Sequence, residues 1–265
     1  MKIVDCFTFY NELDLLTYRL NALNSVVDYF ILVEARQTHV GKEKELLYEK
    51  NKEKYLEFQD KIIHIVVDLP HKIVDVSKDE QWVNERFQRN SIKDGLDKLN
   101  LLPEDLIIIS DLDEVADPVT LEKMKTGTIL VDIFSLEMQL HYYNLNTIST
   151  SSWASGKIIS FNKFNELSIS CSDIRARKCH IIKNGGWHLS YFGDSYFIKN
   201  KVENFGHQEF NNDNYTDIHK ISKRLSDGQD VYGRLYVSFN KVPINENAYL
   251  PPEFRKYLSK FIVLE

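Results

Sequence analysis

Residues 106–114 read Leu-Ile-Ile-Ile-Ser-Asp-Leu-Asp-Glu, an apolar run that ends in a cluster of carboxylates. A short apolar run bounded by polar residues predicts a buried β-strand. Side chains alternate between the two faces of a strand, so Asp111 and Asp113 point the same way while Leu112 points into the core. The stretch therefore predicts a buried strand that delivers two carboxylates to one side of its tip.

Three more apolar segments precede this strand and also end near acidic residues: Lys2–Phe9, Phe30–Glu34 and Ile62–Asp68. Segments with helical spacing separate them, at residues 13–27, 43–58 and 80–101. Alternation of strands and helices predicts an α/β fold with a mostly parallel central sheet flanked by helices. Ligands of such sheets bind outside the carboxyl ends of the strands, so Asn11, Glu34 and Asp111 are expected on one rim.

The pattern changes after about residue 128, where strand-like stretches follow one another without clear helices between them. They are residues 128–134, 136–143, 157–161 and 177–182, and helices are expected at 194–205 and 216–225. The tail contains Pro243, Pro251 and Pro252. We expect one domain over residues 1–240 and a C-terminal surface segment over residues 241–265.

Composition excludes several classes of protein. The 265 residues carry a formal net charge of -6, so no basic excess is available to follow a nucleic-acid backbone. The apolar runs are far shorter than the roughly 20 residues of a membrane helix, and no signal-peptide pattern is visible. The three cysteines have no metal-ligand spacing, which predicts reduced thiols in a cytoplasmic protein.

Two carboxylates at a buried strand end repel each other unless a cation lies between them. Mg²⁺ or Mn²⁺ is the natural partner, because hard divalent ions take one or two carboxylates together with substrate phosphates. A solvated acidic turn is the structural alternative. The same strand end would also suit a phosphatase that uses Asp111 as a nucleophile, although Glu114-Val115 follows the motif here in place of a small pair.

Five blocks in the same order carry a resemblance to a known family. They are residues 5–14 (Asp-Cys-Phe-Thr-Phe-Tyr-Asn-Glu-Leu-Asp), Val33-Glu34 with Thr38 and Gly41-Lys42, Phe87-Gln88-Arg89, residues 109–114, and residues 185–193 (Gly-Gly-Trp-His-Leu-Ser-Tyr-Phe-Gly). Together they resemble glycosyltransferase family 17, over roughly four fifths of the chain. The resemblance implies a GT-A-like nucleotide-sugar-binding fold, a UDP-sugar donor carrying N-acetylglucosamine, a glycan acceptor, a divalent metal and inversion at the anomeric carbon.

The metal implied by the resemblance is expected at Asp111 and Asp113. A third protein ligand in such sites is commonly a histidine, and His207 and His188 are the candidates, with a hydrogen-bonded structural imidazole as the alternative for each. Bound between the aspartates, the ion would neutralise charge on the departing diphosphate.

Inverting transfer also needs a carboxylate to take the proton of the acceptor hydroxyl. Asp194 is the first candidate and Glu209 the second. Asp194 also stands at the start of an expected helix, where an aspartate is an ordinary N-cap.

Donor binding is expected from Asn11, Glu34, Arg89 and Asp111, with Trp187 offering a ring face to the sugar. Helix capping explains Asn11 equally well, a solvated basic helix face explains Arg89, and a core position explains Trp187. A sugar-binding module without catalytic activity remains an alternative to the transferase.

Overall fold

The computed structural model of the chain describes residues 1–234 and 236–263. Within this part of the chain the strands are β1 (Ile3–Phe9), β2 (Tyr29–Ala35), β3 (Ile62–Val67), β4 (Leu106–Asp111), β5 (Glu114–Ala116), β6 (Ile133–Tyr142), β7 (Thr147–Ser149), β8 (Lys157–Ser160), β9 (His180–Ser190) and β10 (Phe239–Lys241). The α-helices are α1 (Leu13–Leu23), α2 (Leu47–Asn51), α3 (Glu80–Asn90), α4 (Ile92–Leu96), α5 (Pro118–Lys125), α6 (Phe161–Leu167), α7 (Cys171–Ala176), α8 (Ser195–Asn204), α9 (Asp213–Thr216), α10 (Ile218–Asp227) and α11 (Phe254–Tyr257). Across these residues, no helix is long and apolar enough to cross a membrane.

All strands belong to one sheet, in the order β10-β7-β6-β8-β4-β1-β2-β3, with β9 beside β6 and β5 beside β9. The four strands β3, β2, β1 and β4 are parallel, as the sequence predicts. Beyond β4 most pairs are antiparallel, including β8 with both β4 and β6. The α/β class is confirmed, but the expectation of a mostly parallel sheet is corrected: the sheet is mixed. Antiparallel neighbours need no crossover helix, so β6, β7 and β8 follow one another without helices between them, whereas α6 and α7 lie between β8 and β9, where no helix was expected.

Alternating side chains of the parallel strands fill two separate cores, one on each face of the sheet. Phe7 of β1 and Ile108 of β4 pack on the face covered by α1. Cys6 and Ile109, which are adjacent in sequence to Phe7 and Ile108, pack on the opposite face, which is covered by α4 and α7. The buried strands are therefore apolar on both sides, as a parallel sheet between helix layers requires.

The expected helices differ in detail from those observed. The segment 43–58 contains α2 followed by a 3-10 helix over Lys52–Phe58, and the segment 80–101 contains α3 and α4. The interruption between α3 and α4 lies at Ser91, whose hydroxyl donates to the carbonyl oxygen of Phe87 at 3.1 Å. A hydroxyl that bonds one turn back commonly bends a helix, and this bend lets α4 pack against β2.

A glycine pair allows β5 and β6 to approach β9 closely. The register between β6 and β9 shifts between Leu136 and Met138. Gly186, opposite Ala116 of β5, has φ +142°, and a Cβ there would lie 2.1 Å from the carbonyl oxygen of Val115. The Gly185-Gly186 block therefore meets a backbone requirement beside the turn that carries Asp113.

A third apolar cluster joins the ends of β6 and β9 to the helices that follow. It contains Tyr142, Tyr191, Ile198 of α8 and Ile221 of α10. The C-terminal segment that was expected at the surface is mixed in character: Leu258 is fully buried and Phe261 joins the core, while Val263 is exposed. Its last two residues, 264 and 265, lie outside the described residues.

Arg19 of α1 fixes the turn between β4 and β5. Its guanidinium is fully buried and forms an ion pair with Asp5 of β1, in which Nε donates to Oδ2 at 2.7 Å. The same group donates to the carbonyl oxygens of Asp111, Leu112 and Glu114 at 2.7, 3.0 and 2.9 Å. The backbone that presents the carboxylates is thus held from beneath by one buried cation.

We expect Arg19→Met to lower the free energy of unfolding by about 3–5 kcal/mol, because it leaves Asp5 buried without its cation. Urea and thermal unfolding measure the loss. Arg36→Met is the control, since its pair with Asp68 is 3.7 Å long and more than half exposed on both sides. The control is expected to cost less than about 1 kcal/mol. Equal stability of the two variants would contradict the assignment.

We expect Gly186→Ala to cost about 2–4 kcal/mol, because it adds a steric clash with Val115 to an unfavourable backbone conformation. Gly127→Ala separates the two effects. Gly127 also has a positive φ, +76°, but a Cβ there would meet nothing within 4 Å. That variant should lose only the conformational part, about 1 kcal/mol. Similar losses in both variants would show that close approach at Gly186 is unimportant.

Candidate active site

A cavity of about 370 Å³ opens at the carboxyl ends of β1 and β4. Phe9 of β1 and residues 111–113 after β4 contribute to its wall, as do residues 37–39 after β2. Further parts of the wall come from α3, from α8 and the loop after it, from β9 and from the third apolar cluster. The cavity therefore occupies the rim where open α/β sheets bind their ligands.

Asp111 lies between two arginines. Arg89 Nη2 donates to its Oδ1 at 3.0 Å, and Arg175 Nη2 donates to its Oδ2 at 2.6 Å. Its side chain is 35% exposed. Burial raises the pKa of Asp111, but the two guanidinium groups outweigh burial and lower this pKa to about 2. Asp111 is therefore an ionised carboxylate with part of its surface free for a ligand.

Asp113 has a different pair of partners. Lys201 Nζ of α8 donates to Oδ2 at 2.9 Å, and Nε2 of His188 lies 3.5 Å from Oδ1. Burial raises the pKa of Asp113, whereas Lys201 and His188 hold it far below its usual range. Burial likewise opposes the charge of Lys201, but Asp113 and Glu12 raise the pKa of this lysine well above its ordinary value. Both members of the pair are thus charged.

Glu114 connects the acidic turn to α7. Its carboxylate is fully buried and accepts two hydrogen bonds from Arg175, each of 2.7 Å. It also accepts from the backbone N–H of Asp111 at 3.0 Å and from the indole N–H of Trp153. Glu114 therefore orients Arg175, and Arg175 orients Asp111.

Both histidines that were considered as metal ligands line the cavity, but they lie in different surroundings. His188 is 92% buried next to Trp153, and its Nδ1 is buried without a hydrogen-bond partner among the described residues. His207 is half exposed, and its Nδ1 lies 2.7 Å from Oε1 of Glu209. Its ring packs edge-on against Trp82, with 4.6 Å between centroids. His188 thus approaches Asp113, while His207 belongs to the aromatic end of the cavity.

Arg89 lines the cavity, whereas Asn11 and Glu34 stand beside it. Asn11 Nδ2 donates to Oδ1 of Asn200 at 3.2 Å, so this residue joins the β1–α1 connection to α8. The helix start adjacent to it, at Glu12, has no side-chain cap. Glu34 is fully buried, with Oε1 accepting from the backbone N–H of Tyr48 at 3.2 Å and Lys44 Nζ lying 3.5 Å from the same oxygen. Glu34 therefore holds a cavity-lining lysine in place.

Trp187 and the two proposed bases also lie outside the cavity wall. Trp187 is 2% exposed, stacks on Tyr249 and donates its indole N–H to the Tyr249 carbonyl oxygen at 3.0 Å. Strand alternation sends His188 to the cavity and Trp187 to the core. Asp194 caps α8 by accepting from the backbone N–H of Phe197 at 2.8 Å, and Glu209 binds His207. The roles of Asp194 and Glu209 in proton transfer remain predictions from sequence.

Sequence reasoning did not connect several residues that form the site with the acidic turn. Lys201 and Arg175 are separated from the acidic turn by more than 60 residues, so no local pattern could have paired them with it. Trp82 and Glu85 were detectable in principle, because they precede Arg89 by seven and four residues and so share its helix face.

The charges around the acidic turn fit a divalent cation that arrives with its ligand. In the described part of the chain, no three His, Cys, Asp or Glu side chains are grouped closely enough to form a metal site of their own. However, the connected ion pairs contain five carboxylates (Glu12, Glu85, Asp111, Asp113 and Glu114) and only three permanent cations (Arg89, Arg175 and Lys201). Two negative charges are thus in excess, and Asp111 has surface open to a ligand. Mg²⁺ is usually bound by one or two carboxylates together with substrate phosphates.

The chain matches the model of a known protein family. The family model described as glycosyltransferase family 17 matches residues 1–244. No curated protein matches the chain. The family match includes every strand described above, the acidic turn and all the side chains that line the cavity. The arrangement of strand ends, carboxylates and cavity therefore occurs in a chain that belongs to glycosyltransferase family 17.

Proposed function

We propose that this protein is an inverting, metal-dependent glycosyltransferase that moves N-acetylglucosamine from its UDP conjugate to a hydroxyl of a glycan. The observation that carries the proposal is the pair of ionised carboxylates, Asp111 and Asp113, on the wall of one cavity at the strand ends. Family membership supplies the reaction class, and families of this class generally use nucleotide-sugar donors.

In this proposal the parallel strands β3, β2, β1 and β4 form the nucleotide-binding part of a GT-A-like fold. The nucleoside would lie along the ends of β1 and β2, where Thr8, Gln37 and Thr38 offer polar groups to the cavity. The diphosphate would then lie next to Asp111 and Asp113. Lys44, held by Glu34, provides a positive charge on the nucleoside side.

Asp111 and Asp113 would hold the divalent cation together with phosphate oxygens of the donor. Such a cation stabilises the negative charge of the departing diphosphate. Arg89 and Lys201 keep the two carboxylates ionised and fixed before the donor binds, so little reorganisation is needed during the reaction. Arg19 and Glu114 hold the backbone and Arg175 in place behind them.

A phosphatase using Asp111 as nucleophile has less support. Glu114-Val115 follows the two aspartates, where the phosphatase motif has a small pair. The family match also concerns sugar transfer.

The test is UDP release from UDP-N-acetylglucosamine in the presence of Mn²⁺ and again after EDTA. We expect release with Mn²⁺, loss of release with EDTA, and at least a hundredfold lower rate for Asp113→Asn, since one preorganised electrostatic contact contributes on the order of 3 kcal/mol. Asp97→Asn is the control, because this aspartate pairs with Lys93 at the exposed surface.

Each other outcome would contradict part of the proposed function or indicate a different one. Release that persists in EDTA would contradict the metal requirement. Phosphate liberated from a simple ester without UDP release would indicate a phosphatase. Binding of UDP-N-acetylglucosamine without turnover would indicate a sugar-binding module.

A further inference from the structure

We propose that the cavity face of α3 is the acceptor subsite, where Trp82 stacks on a pyranose ring and Glu85 takes the proton of its attacking hydroxyl. The inference rests on the proposed transfer reaction and assigns two residues to the acceptor. It commits to a hexopyranoside as the class of acceptor.

Four residues of α3, namely Trp82, Glu85, Gln88 and Arg89, line the cavity, and three of them lie in a row. With 100° per residue, Trp82, Glu85 and Arg89 fall within an arc of about 60° on the helix. All three line the cavity. At 1.5 Å per residue, Glu85 lies about 4.5 Å along the axis from Trp82 and about 6 Å from Arg89. The helix thus presents an aromatic ring, a carboxylate and a guanidinium in that order, and the last of these binds Asp111.

Trp82 is held as part of an aromatic end of the cavity. A Cβ at Gly206 would lie 2.6 Å from Cζ3 of Trp82, so the glycine is what allows the loop after α8 to contact the indole ring. His207 packs against the same ring, and Phe205 and Phe210 line the cavity nearby. Indole has a large apolar face that can pack on the C–H groups of a sugar ring, and its rigid position limits the entropy lost on binding.

Glu85 is the cavity-lining carboxylate best placed to act on an acceptor. The others in the described wall are Glu12, Asp111 and Asp113. Asp111 and Asp113 are assigned to the diphosphate end, and Glu12 is 92% buried, accepting from the Asn11 backbone N–H and pairing with Lys201. Glu85 is 20% exposed, and Arg89 is its one ion-pair partner within the described residues.

Arg89 also fixes the distance between the acceptor and donor ends. Its Nη2 lies 2.6 Å from Oε1 of Glu85 and 3.0 Å from Oδ1 of Asp111. These two oxygens are therefore at most 5.6 Å apart, the sum of the two distances. A base must lie close to the bond being formed, and that bond forms at the same anomeric carbon from which the diphosphate leaves. Glu85 meets this condition while remaining next to Trp82.

The proposed transfer forms one bond, breaks one bond and moves one proton. The acceptor oxygen forms a bond to the anomeric carbon while its proton passes to a carboxylate oxygen of Glu85. The bond from the anomeric carbon to the diphosphate oxygen breaks, and its electron pair leaves with UDP. The face opposite the leaving group is attacked, so the configuration inverts.

The test compares Glu85→Gln, Glu85→Asp and Trp82→Ala in UDP-N-acetylglucosamine turnover, with 4-nitrophenyl hexopyranosides as acceptor probes and with water alone. We expect Glu85→Gln to lower kcat at least about a hundredfold, with the Kd for UDP within twofold of wild type and Glu85→Asp partly restoring kcat. Trp82→Ala should raise KM for the glycoside about tenfold.

Glu203→Gln and Tyr196→Ala are matched controls. Glu203 forms an ion pair with Lys199, one turn earlier on α8, and Tyr196 is 69% exposed. Neither Glu203 nor Tyr196 lines the cavity. Both should retain wild-type kinetics.

A weakened Kd for UDP in Glu85→Gln, with a proportional fall in turnover, would mean that Glu85 only positions Arg89 and would overturn its role as base. Glycosides that fail to raise UDP release by an otherwise active wild-type protein would overturn the pyranoside subsite. Wild-type protein that releases no UDP at all would instead contradict the proposed function.

Discussion

The buried guanidinium of Arg19 is the interaction on which the active-site turn depends. A guanidinium inside a protein is tolerable only when its N–H donors are satisfied, because a buried unpaired charge is very costly. Arg19 meets this condition with the carboxylate of Asp5, the hydroxyl of Ser110 and three carbonyl oxygens of the β4–β5 turn. Helix α1, strand β1 and the acidic turn are therefore tied together, and the direction of Asp111 and Asp113 follows from that contact.

Above this turn, charges of opposite sign alternate. Glu85, Arg89, Asp111, Arg175 and Glu114 form one chain of ion pairs, and Glu12, Lys201 and Asp113 form another. Each charge has a partner before any ligand binds, which keeps both aspartates ionised despite burial. The excess of carboxylates leaves a field that repels a bare diphosphate and attracts a cation. In the proposed reaction, a cation that arrives with the nucleotide would neutralise this excess negative charge beside the ionised aspartates.

Local pattern predicted the parallel half of the fold well. β1, β2, β3 and β4 are apolar on both faces and are bounded by polar residues, so their hydrophobic runs are short and continuous. Of the strands after β4, the expected stretches include β8, most of β6 and the start of β9, whereas β5, β7, β10 and the antiparallel directions were not predicted. Residues 128–134 and 136–143 were expected as two strands, but one strand, β6, spans Ile133–Tyr142, and residues 128–132 are not in a strand. Strand β9 extends to Ser190 through the Gly185-Gly186 irregularity. Direction and register in this half depend on partners distant in sequence, which periodicity does not encode.

At the candidate active site, too, local sequence pattern predicted some features and long-range contacts determined the others. The amino-acid sequence was sufficient for the class of fold, for the two aspartates at a strand tip and for the family likeness, because each of these depends on neighbouring residues and strand alternation. Tertiary structure alone decided which cations neutralise the aspartates and that Trp187 packs in the core while Trp82 reaches the cavity. The physical reason is that a side chain's charge state and exposure are set by whatever the fold packs against it, and those groups come from segments far along the chain.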